Sequence, residues 1–563
     1  MAKGLLAFLF CAVAASARCE RIAVSPTAGR WHRARTSGGA TTVGGATAAP
    51  TQPQGDNNAR AATTADADAA ANAVATGTSV VCLSEIPGIN MNGSLTSSTG
   101  TDDKAAIQAV LNTASPSAPL FLILDGVSAI DTSGGGLLLK SYTTIHGLGR
   151  NTGLSWLGGT NTNQVPLLQN ANPLGTGAPT DTDIALENFT INGNMTAGHG
   201  NGGGNPYSGK LFLSNVRLVG VARLRMCGLR SYHSTGYGFH LANITDAYIE
   251  NTRVENGGQN SDGIHVNGPA SNVVIDHVSG VAGDDMIALT ADDCHEQYSS
   301  CQGAYGDNSL PSTVKQGAIT RVVVSNVFLE NSYGGWRLLS GGNPIDDVTI
   351  RNVSGTVYSI IGYMDRFTFG SSNFGAINIE DIDVVPTRLD GSAFSTGGSF
   401  RQLNMNLTCK DHTVTNNYGL IGTSGSTAIQ TLNLRVACSN SNGLPSPLLV
   451  MSTGATVGTL NLSGTYDPNG GSTNGTNPLI YLSGGTITNL LLSDLVADHI
   501  NNLVQNFGGS ISTVTLSGGS HTNAGGNATV LNSSGTISNL VIAGFSSSLY
   551  SSGTIGSVSG GCR

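Results

Sequence analysis

Short apolar strand patterns recur along this chain at intervals of roughly two dozen residues. The triplets at 239–241, 264–266 and 287–289 superpose at steps of 25 and 23 residues. Repeats of this period that each supply one strand are typical of a parallel β-solenoid, in which every coil stacks on the one before. The pattern therefore favours a stack of coils over a globular arrangement of separate elements.

One coil is longer than its neighbours. The next matching strand, at 336–338, follows after 49 residues, and strands 273–275 and 322–324 are separated by the same 49. This coil must therefore carry an insertion, roughly at 291–315. The insertion includes Asp292 and further acidic residues, and we expect it to form a solvated loop.

The last third of the chain repeats more regularly. The pattern at 429–434 recurs at steps of 28, 30, 24 and 26 residues, ending at 537–542, and its strands almost lack His, Asp, Glu and Arg. We therefore divide the solenoid into two parts. Residues 79–400 contain the polar candidate site described below, and residues 401–563 form C-terminal repeats that serve as a scaffold or a binding surface.

The composition agrees with short strands and tight turns. Of the 563 residues 77 are glycine, and only 11% are charged, less than half of the usual share of about 25%. One segment does not have the pattern of a strand or a turn. It has the pattern of a short helix, with Thr101 or Asp102 as its N-cap. We predict an all-β fold, a right-handed parallel β-helix with a short N-terminal capping helix.

The N-terminal region predicts an exported protein. Residues 1–17 combine Lys3, an apolar run and a small-x-small end, as in a secretory signal peptide, and the run is too short to span a bilayer. Residues 18–78 have the composition of a disordered linker. We expect a secreted, extracellular monomer with no membrane attachment. The net charge of −9 offers no basic surface for nucleic acid.

The cysteines suit an oxidising compartment. Eight of the nine remain after removal of the signal peptide, which takes Cys11 with it. Proximity favours a Cys294–Cys301 bond and a Cys409–Cys438 bond, although spacing alone leaves the pairing open.

Three aspartates fall at the start of consecutive strands. A shift of 23 residues superposes strand 264–266 on strand 287–289, and it carries Asp262 onto Asp285, with Asp284 alongside. Stacked strands lie about 4.8 Å apart, so these carboxylates would crowd one exposed ridge. Crowding raises the pKa of one carboxyl and leaves another low, as glycosidic bond cleavage by an acid and a base requires. Turn formation and calcium binding are the alternative explanations.

The same superposition predicts a column of outward side chains beside these aspartates. His240, His265 and Arg337 occupy equivalent positions on their strands, and side chains alternate along a strand. We assign these three residues to substrate binding in a shallow groove. We add Tyr237, which lies just before the first of these strands.

Two motifs in this region resemble a known family. The segments Asn-Ser-Asp at 260–262 and Gly-Asp-Asp at 283–285 resemble the Asn-Thr-Asp and Gly/Gln-Asp-Asp motifs of polygalacturonase-like family 28 glycoside hydrolases. Residues 102–108 resemble the N-terminal cap of pectate-lyase-superfamily β-helix proteins. The resemblance implies inverting hydrolysis without a cofactor, in which Asp284 is the general acid while Asp262 and Asp285 hold the attacking water. The family's Gly-His-Gly motif is replaced by Tyr-Gly-Gly at 333–335.

We therefore predict a secreted enzyme that cleaves a polysaccharide, either pectin-like or another acidic plant or microbial glycan. Two other functions stay open at this point. A polysaccharide lyase would use a base such as His265 on a uronate, with calcium on the aspartates, and would release unsaturated products. A non-catalytic glycan-binding adhesin or tail-like protein would bind without producing new reducing ends.

Overall fold

The computed structural model describes most of the chain beyond its N-terminal region. The described residues are 78–158, 166–194, 214–234, 236–256, 261–292, 316–366, 371–388, 391–409, 419–439, 447–467, 478–521, 529–545 and 554–560. All pairings between named strands in these residues are parallel, as in β12–β13, β13–β14 and β14–β15, whose bounds are given below. The predicted all-β parallel β-helix is therefore confirmed.

Each coil contributes one or more strands, and equivalent strands of successive coils lie side by side along the axis of the β-helix. The N-terminal coils contain β1 (Ser79–Cys82), β2 (Leu120–Leu124), β3 (Val127–Asp131), β4 (Leu137–Leu139), β5 (Thr143–Gly147), β6 (Gly153–Gly158), β7 (Leu168–Asn170), β8 (Asp181–Glu187) and β9 (Thr190–Asn192). The middle coils contain β10 (Val216–Cys227), β11 (Arg230–Tyr232), β12 (Phe239–Glu255), β13 (Ile264–Val281), β14 (Asp285–Thr290), β15 (Ile319–Leu339), β16 (Pro344–Asp365) and β17 (Asn373–Pro386). The C-terminal coils contain β18 (Phe394–Gly397), β19 (Ser399–Cys409), β20 (Ile421–Thr423), β21 (Ala428–Ser439), β22 (Leu449–Met451), β23 (Thr456–Asp467), β24 (Ile480–Leu482), β25 (Thr486–Ala497), β26 (Val504–Asn506), β27 (Ser510–His521), β28 (Val530–Asn532), β29 (Thr536–Ala543) and β30 (Thr554–Ser559).

The strand register agrees with the offsets expected from the sequence. Ile264 pairs with Ile287, and Ile287 pairs in turn with Trp336. Val273 pairs with Val322 across the coil that carries the insertion. Equivalent apolar side chains thus stack inside the helix, and each fully buried Ile or Leu contributes about 1.5–3 kcal/mol.

One large apolar core runs through the described coils, apart from a small second cluster of Val219 and Ala242. Its buried side chains extend from Leu83 near the first coil to Phe545 near the last. β19 pairs with β17 on one side and with β21 on the other, so strand pairing continues through the boundary expected near residue 400. A separate role for residues 401–563 stays a prediction.

An asparagine ladder, which we did not predict, links four coils on the outer surface. Asn404 Nδ2 donates to Asn378 Oδ1 at 2.6 Å, and the next two steps, to Asn433 and Asn461, each measure 2.7 Å. An amide side chain has both a donor and an acceptor, so identical residues in one column can satisfy each other.

The N-terminal helix is present, but it begins later than expected. Helix α1 (Lys104–Leu111) has Asp103 at its N-cap rather than Thr101 or Asp102. The Asp103 carboxylate accepts hydrogen bonds from the backbone N–H groups of residues 90 and 91, so its contacts outside the helix decide where the chain turns. The helix buries Ile107 in the apolar core.

Several expectations fall outside the described residues. They are the signal peptide, the linker up to residue 77, and the Cys294–Cys301 bond. Cys409 and Cys438 are register partners on neighbouring coils, and their bond stays a prediction. Among the described residues, no helix has the length and apolar character needed to cross a membrane.

Candidate active site

The three aspartates lie together at the start of two neighbouring strands. Asp285 is the first residue of β14, and its backbone N–H donates to Asp262 Oδ1 at 3.2 Å. One carboxylate oxygen from each of Asp262, Asp284 and Asp285 lies within 4.8 Å of the other two. The stacking expected from the 23-residue shift is therefore present.

The aspartates are less exposed than we predicted for side chains on an exposed ridge. Asp262 and Asp285 are each only 5% exposed, while Asp284 keeps partial exposure. Two neighbours explain the difference. His265 Nδ1 lies 2.5 Å from Asp262 Oδ2, and Asp285 Oδ1 fits against the backbone of Gly334, where a Cβ would be 2.6 Å away.

Burial and mutual repulsion separate the protonation states of these carboxyls. Burial, followed by the negative charge of Asp262, raises the pKa of Asp284 to about 7, although Arg337 and His265 act to lower it. Burial, followed by repulsion from Asp284 and Asp262, also raises the pKa of Asp285 well above its ordinary value. Asp262 accepts two hydrogen bonds, from His265 Nδ1 and from the backbone N–H of Asp285. It is therefore the carboxyl of the three that is best oriented by hydrogen-bond donors.

The spacing differs from our expectation for an inverting enzyme. We expected Asp284 to point away from the other two aspartates, because an acid and a base in such enzymes usually lie about 6.5–9.5 Å apart. One oxygen of Asp284 nevertheless lies within 4.8 Å of one oxygen of each of the other two aspartates, which is closer than we expected. At this separation a single water can hydrogen-bond to two of the carboxyls at about 2.8 Å each.

His265 lies between Asp262 and a chain of buried polar groups. Its Nδ1 contacts Asp262, and its Nε2 lies 3.0 Å from Thr290 Oγ1. Asn267 Nδ2 donates to the same hydroxyl at 2.7 Å, which leaves the Thr290 O–H free to donate to His265. Both imidazole nitrogens therefore have hydrogen-bond partners, so the ring is held in one orientation toward Asp262.

His240 continues this chain on the preceding coil. Arg217 Nε donates to His240 Nδ1 at 3.3 Å, so that nitrogen accepts. The proton then resides on Nε2, which donates to Asn267 Oδ1 at 2.7 Å. His240 is fully buried, which corrects the shallow groove that we expected along this column. Burial follows from packing against Tyr237, whose ring meets the His240 ring edge-on at 5.2 Å.

Tyr237 also packs against the second histidine. Its ring stacks on the His265 imidazole with centroids 3.9 Å apart and planes 8° from parallel. The structure thus brings Tyr237, His240 and His265 together as a packed wall beside Asp262. Substrate contact by these residues stays a prediction.

Arg337 occupies the expected position in the column, opposite Ala288. Its guanidinium pairs with Asp365, with Nη2 3.2 Å from Oδ2 and Nε 3.3 Å from Oδ1. It also lies 5.2 Å from the centre of the Tyr363 ring. Its charge lowers the pKa of the Asp284 carboxyl, so Arg337 acts on the acidic cluster from the neighbouring coil.

Sequence reasoning missed several residues of this cluster, although the repeat period could have found them. Arg217 pairs with His240 after a step of 23 residues, and Asn267 pairs with Thr290 after the same step. Asp365 pairs with Leu339 and could not be matched to Arg337 by register alone. Its contact depends on where two side chains point.

Asp292 is not part of the site and is not solvated. It is buried, and its carboxylate accepts hydrogen bonds from the backbone N–H groups of Gly341 and Asn343 at 2.7 and 2.8 Å. These bonds fix the turn between β15 and β16, which corrects our expectation of a solvated loop at this position.

We predict that Gly334→Ala lowers activity without destabilising the fold. The new Cβ would meet Asp285 Oδ1, which lies at the end of a side chain and can rotate away. A displaced carboxyl in the site should lower turnover by about 10- to 100-fold, while the melting temperature stays close to that of the parent. Gly391→Ala is the matched control, because a Cβ there meets nothing within 4 Å. Equal turnover in both variants would contradict a role for Asp285.

Comparison with known proteins identifies similar folds only. No protein-family model and no curated protein matches the chain. Among solved structures, it is similar to the family 28 exopolygalacturonase of Yersinia enterocolitica, at 14% identity and a TM-score of 0.40, covering 78% of each chain. It is also similar to a mannuronan C-5 epimerase A-module of Azotobacter vinelandii, at 12% identity and a TM-score of 0.43, covering 82% of this chain and 99% of that one. A mutant tailspike protein of an E. coli bacteriophage gives 10% identity and a TM-score of 0.48, covering 84% and 82%.

Proposed function

We propose that this protein hydrolyses glycosidic bonds in a polysaccharide, with Asp284 as the general acid and Asp262 as the carboxylate that activates water. One observation carries the proposal. Two adjacent carboxyls have different surroundings, because burial raises the pKa of Asp284 to about 7 while Asp262 accepts two hydrogen bonds. Such a pair can donate one proton and accept another at nearly neutral pH.

In the proposed reaction, protonated Asp284 donates its proton to the glycosidic oxygen as the bond to the anomeric carbon breaks. A water held against Asp262 attacks that carbon and gives its proton to the Asp262 carboxylate. Exchange with solvent then restores both groups. The His265 contact orients Asp262 throughout, because both nitrogens of the ring are already engaged.

The role of Asp285 differs from the one suggested by the family resemblance. Burial beside two other carboxyls raises the pKa of Asp285 well above its ordinary value, which favours the neutral form. We propose that Asp285 holds the water by hydrogen bonding rather than by removing its proton. Direct attack by water inverts the configuration of the anomeric carbon. Proton NMR of fresh products should therefore show a new reducing end whose anomeric configuration is opposite to that of the cleaved bond. A retained anomer would contradict this arrangement.

We propose an acidic glycan, such as a pectin-like polymer, as the substrate, and a secreted monomer as the acting form. The support for this substrate class is the motif resemblance at 260–262 and 283–285. The packed wall of Tyr237, His240 and His265 lies next to Asp262, and Tyr237, which is 7% exposed, is its best-placed member for contact with the sugar, because His240 is fully buried.

A lyase is the second candidate, because the three carboxylates lie close enough to hold a cation such as calcium. A lyase also needs a base that can take a proton from the substrate. His265 is poorly suited to this task, since one nitrogen contacts Asp262 and the other contacts Thr290. This arrangement favours hydrolysis over elimination.

The deciding experiment assays the purified protein against a panel of acidic and neutral polysaccharides, with and without a calcium chelator. Hydrolysis should produce new reducing ends, no ultraviolet-absorbing unsaturated product, and no loss of activity with the chelator. Unsaturated products that disappear on chelation would support the lyase instead. Binding without any product would support a non-catalytic glycan-binding protein.

A further inference from the structure

Two exposed tyrosines lead away from the candidate acid toward the C-terminal coils. Asp285 pairs with Gly334, and the Gly334 N–H donates to the Asp284 carbonyl at 3.0 Å. Tyr333 is therefore the neighbour of Asp284 on the next coil. On the coil after that, Gly334 pairs with Ile360, which brings Tyr358 next to Tyr333.

The two rings form a continuous open surface. Tyr333 is 42% exposed and Tyr358 is 38% exposed, and both belong to the small group of exposed large apolar side chains among the described residues. Their ring centres lie 6.0 Å apart, with planes tilted by 31°. An exposed aromatic patch beside a candidate active site is a feature of ligand-binding surfaces.

Arg388 holds the second ring in position. Its Nη1 donates to the Tyr358 hydroxyl at 2.8 Å, and its guanidinium carbon lies 5.7 Å from the ring centre. The backbone N–H of Arg388 also donates to the Tyr358 carbonyl at 2.8 Å. A ring that is already oriented loses less conformational freedom when a ligand stacks on it.

We propose that Tyr333 and Tyr358 form a stacking platform for consecutive sugar rings of a glycan whose cleaved bond lies at Asp284. This inference rests on the proposed function in one respect, that Asp284 marks the point of cleavage. The C–H face of a pyranose ring packs on an aromatic ring, while the tyrosine hydroxyl stays available for hydrogen bonds. Tyr333 and Tyr358 lie on neighbouring coils, which are about 4.8 Å apart along the axis of the β-helix. A glycan stacked on both rings would therefore run along that axis.

The size of the patch argues for a glycan over a second protein chain. Two rings on adjacent coils offer a narrow strip, whereas a stable protein interface buries about 1,600 Å² in total. A sugar chain needs only one stacking surface for each ring, which these tyrosines supply.

The test separates binding from turnover. Binding of oligogalacturonides and of neutral β-glucan oligosaccharides, each of increasing length, is measured by calorimetry in an Asp284→Asn background. We expect Tyr333→Ala or Tyr358→Ala to weaken the binding of longer oligosaccharides about tenfold, and Tyr358→Phe to bind nearly as well as the parent. In the active protein, the alanine variants should raise KM with little change in kcat. Phe507→Ala is the control, since Phe507 is a 53% exposed aromatic residue on distant coils.

Each outcome decides the matter. Unchanged binding and unchanged KM in both alanine variants would overturn the platform, even if the parent cleaves its substrate. Loss of binding in the alanine variants of a parent that cleaves nothing would support the platform while rejecting hydrolysis. An equal loss in Phe507→Ala would also overturn the platform, because it would show a general effect.

Discussion

Asp284→Asn is expected to lower turnover by about 10²- to 10⁴-fold, the usual contribution of a general acid. The amide has nearly the same shape as the carboxyl, but it cannot donate a proton to the leaving oxygen. The measurement is kcat on any polysaccharide that the parent cleaves, with circular dichroism to verify the fold. Asp381→Asn is a matched control, because Asp381 is exposed and has a positive φ of 54° that asparagine also tolerates. Near-parental turnover in Asp284→Asn would exclude Asp284 as the acid.

The same residue should set the upper pH limit of activity. The acid must be protonated, and the pKa of Asp284 is raised to about 7 by burial and by Asp262. We therefore expect kcat/KM to fall as pH rises above about 7. The stability of the fold should also decrease with rising pH. Between pH 3.8 and about 7 the folded state keeps the Asp284 proton that the unfolded state loses, so the free energy of unfolding falls as pH increases. Asp284→Asn should thus gain stability relative to the parent across that window in urea unfolding.

Arg337→Met is expected to lower the free energy of unfolding by about 2–3 kcal/mol, because it leaves the buried Asp365 carboxylate without its partner, while the partial exposure of Arg337 keeps the loss below that of a fully buried ion pair. Asp365, which is 4% exposed, would lose the guanidinium that lies 3.2 Å away. The neighbouring aspartates would also lose a positive charge. Urea unfolding at neutral pH measures the change, and a loss below about 1 kcal/mol would show that Asp365 is satisfied by other groups.

The double variant Arg337→Met, Asp365→Asn is the control for this prediction. It removes both charges of the pair, so a large part of the lost stability should return. Activity gives an independent readout. Because Arg337 lowers the pKa of Asp284, the alkaline limit of kcat/KM should move to higher pH in Arg337→Met. An unchanged limit would contradict the electrostatic link between these residues.

The apolar repeat predicted the register of the coils well. Ile264, Ile287 and Trp336 lie in one interior column, and the 49-residue offset correctly located the enlarged coil. Interior positions are predictable because a solenoid presents the same environment on every coil, so the same kind of side chain is needed each time. The aspartates followed from that register, since their positions in the strand are part of the same repeat.

The protonation states of the site were not predictable in the same way. We expected Asp262 and Asp285 to act as an equivalent pair, yet Asp262 contacts His265 while Asp285 lies against Gly334. The pKa of Asp285 is raised because it is buried next to two other carboxyls. Burial and hydrogen bonding depend on side-chain directions in three neighbouring coils, and a linear pattern does not contain them.

The sequence by itself therefore determined the architecture of this protein, the stacking order of its coils and the meeting of Asp262, Asp284 and Asp285. These properties follow from period and alternation, which are local and repeat along the chain. Only the tertiary structure decided that His240 and His265 are packed side chains and that Asp365 is the partner of Arg337. The physical reason is that charge and solvation in a buried site are set by every group within a few ångströms, whatever its distance in sequence.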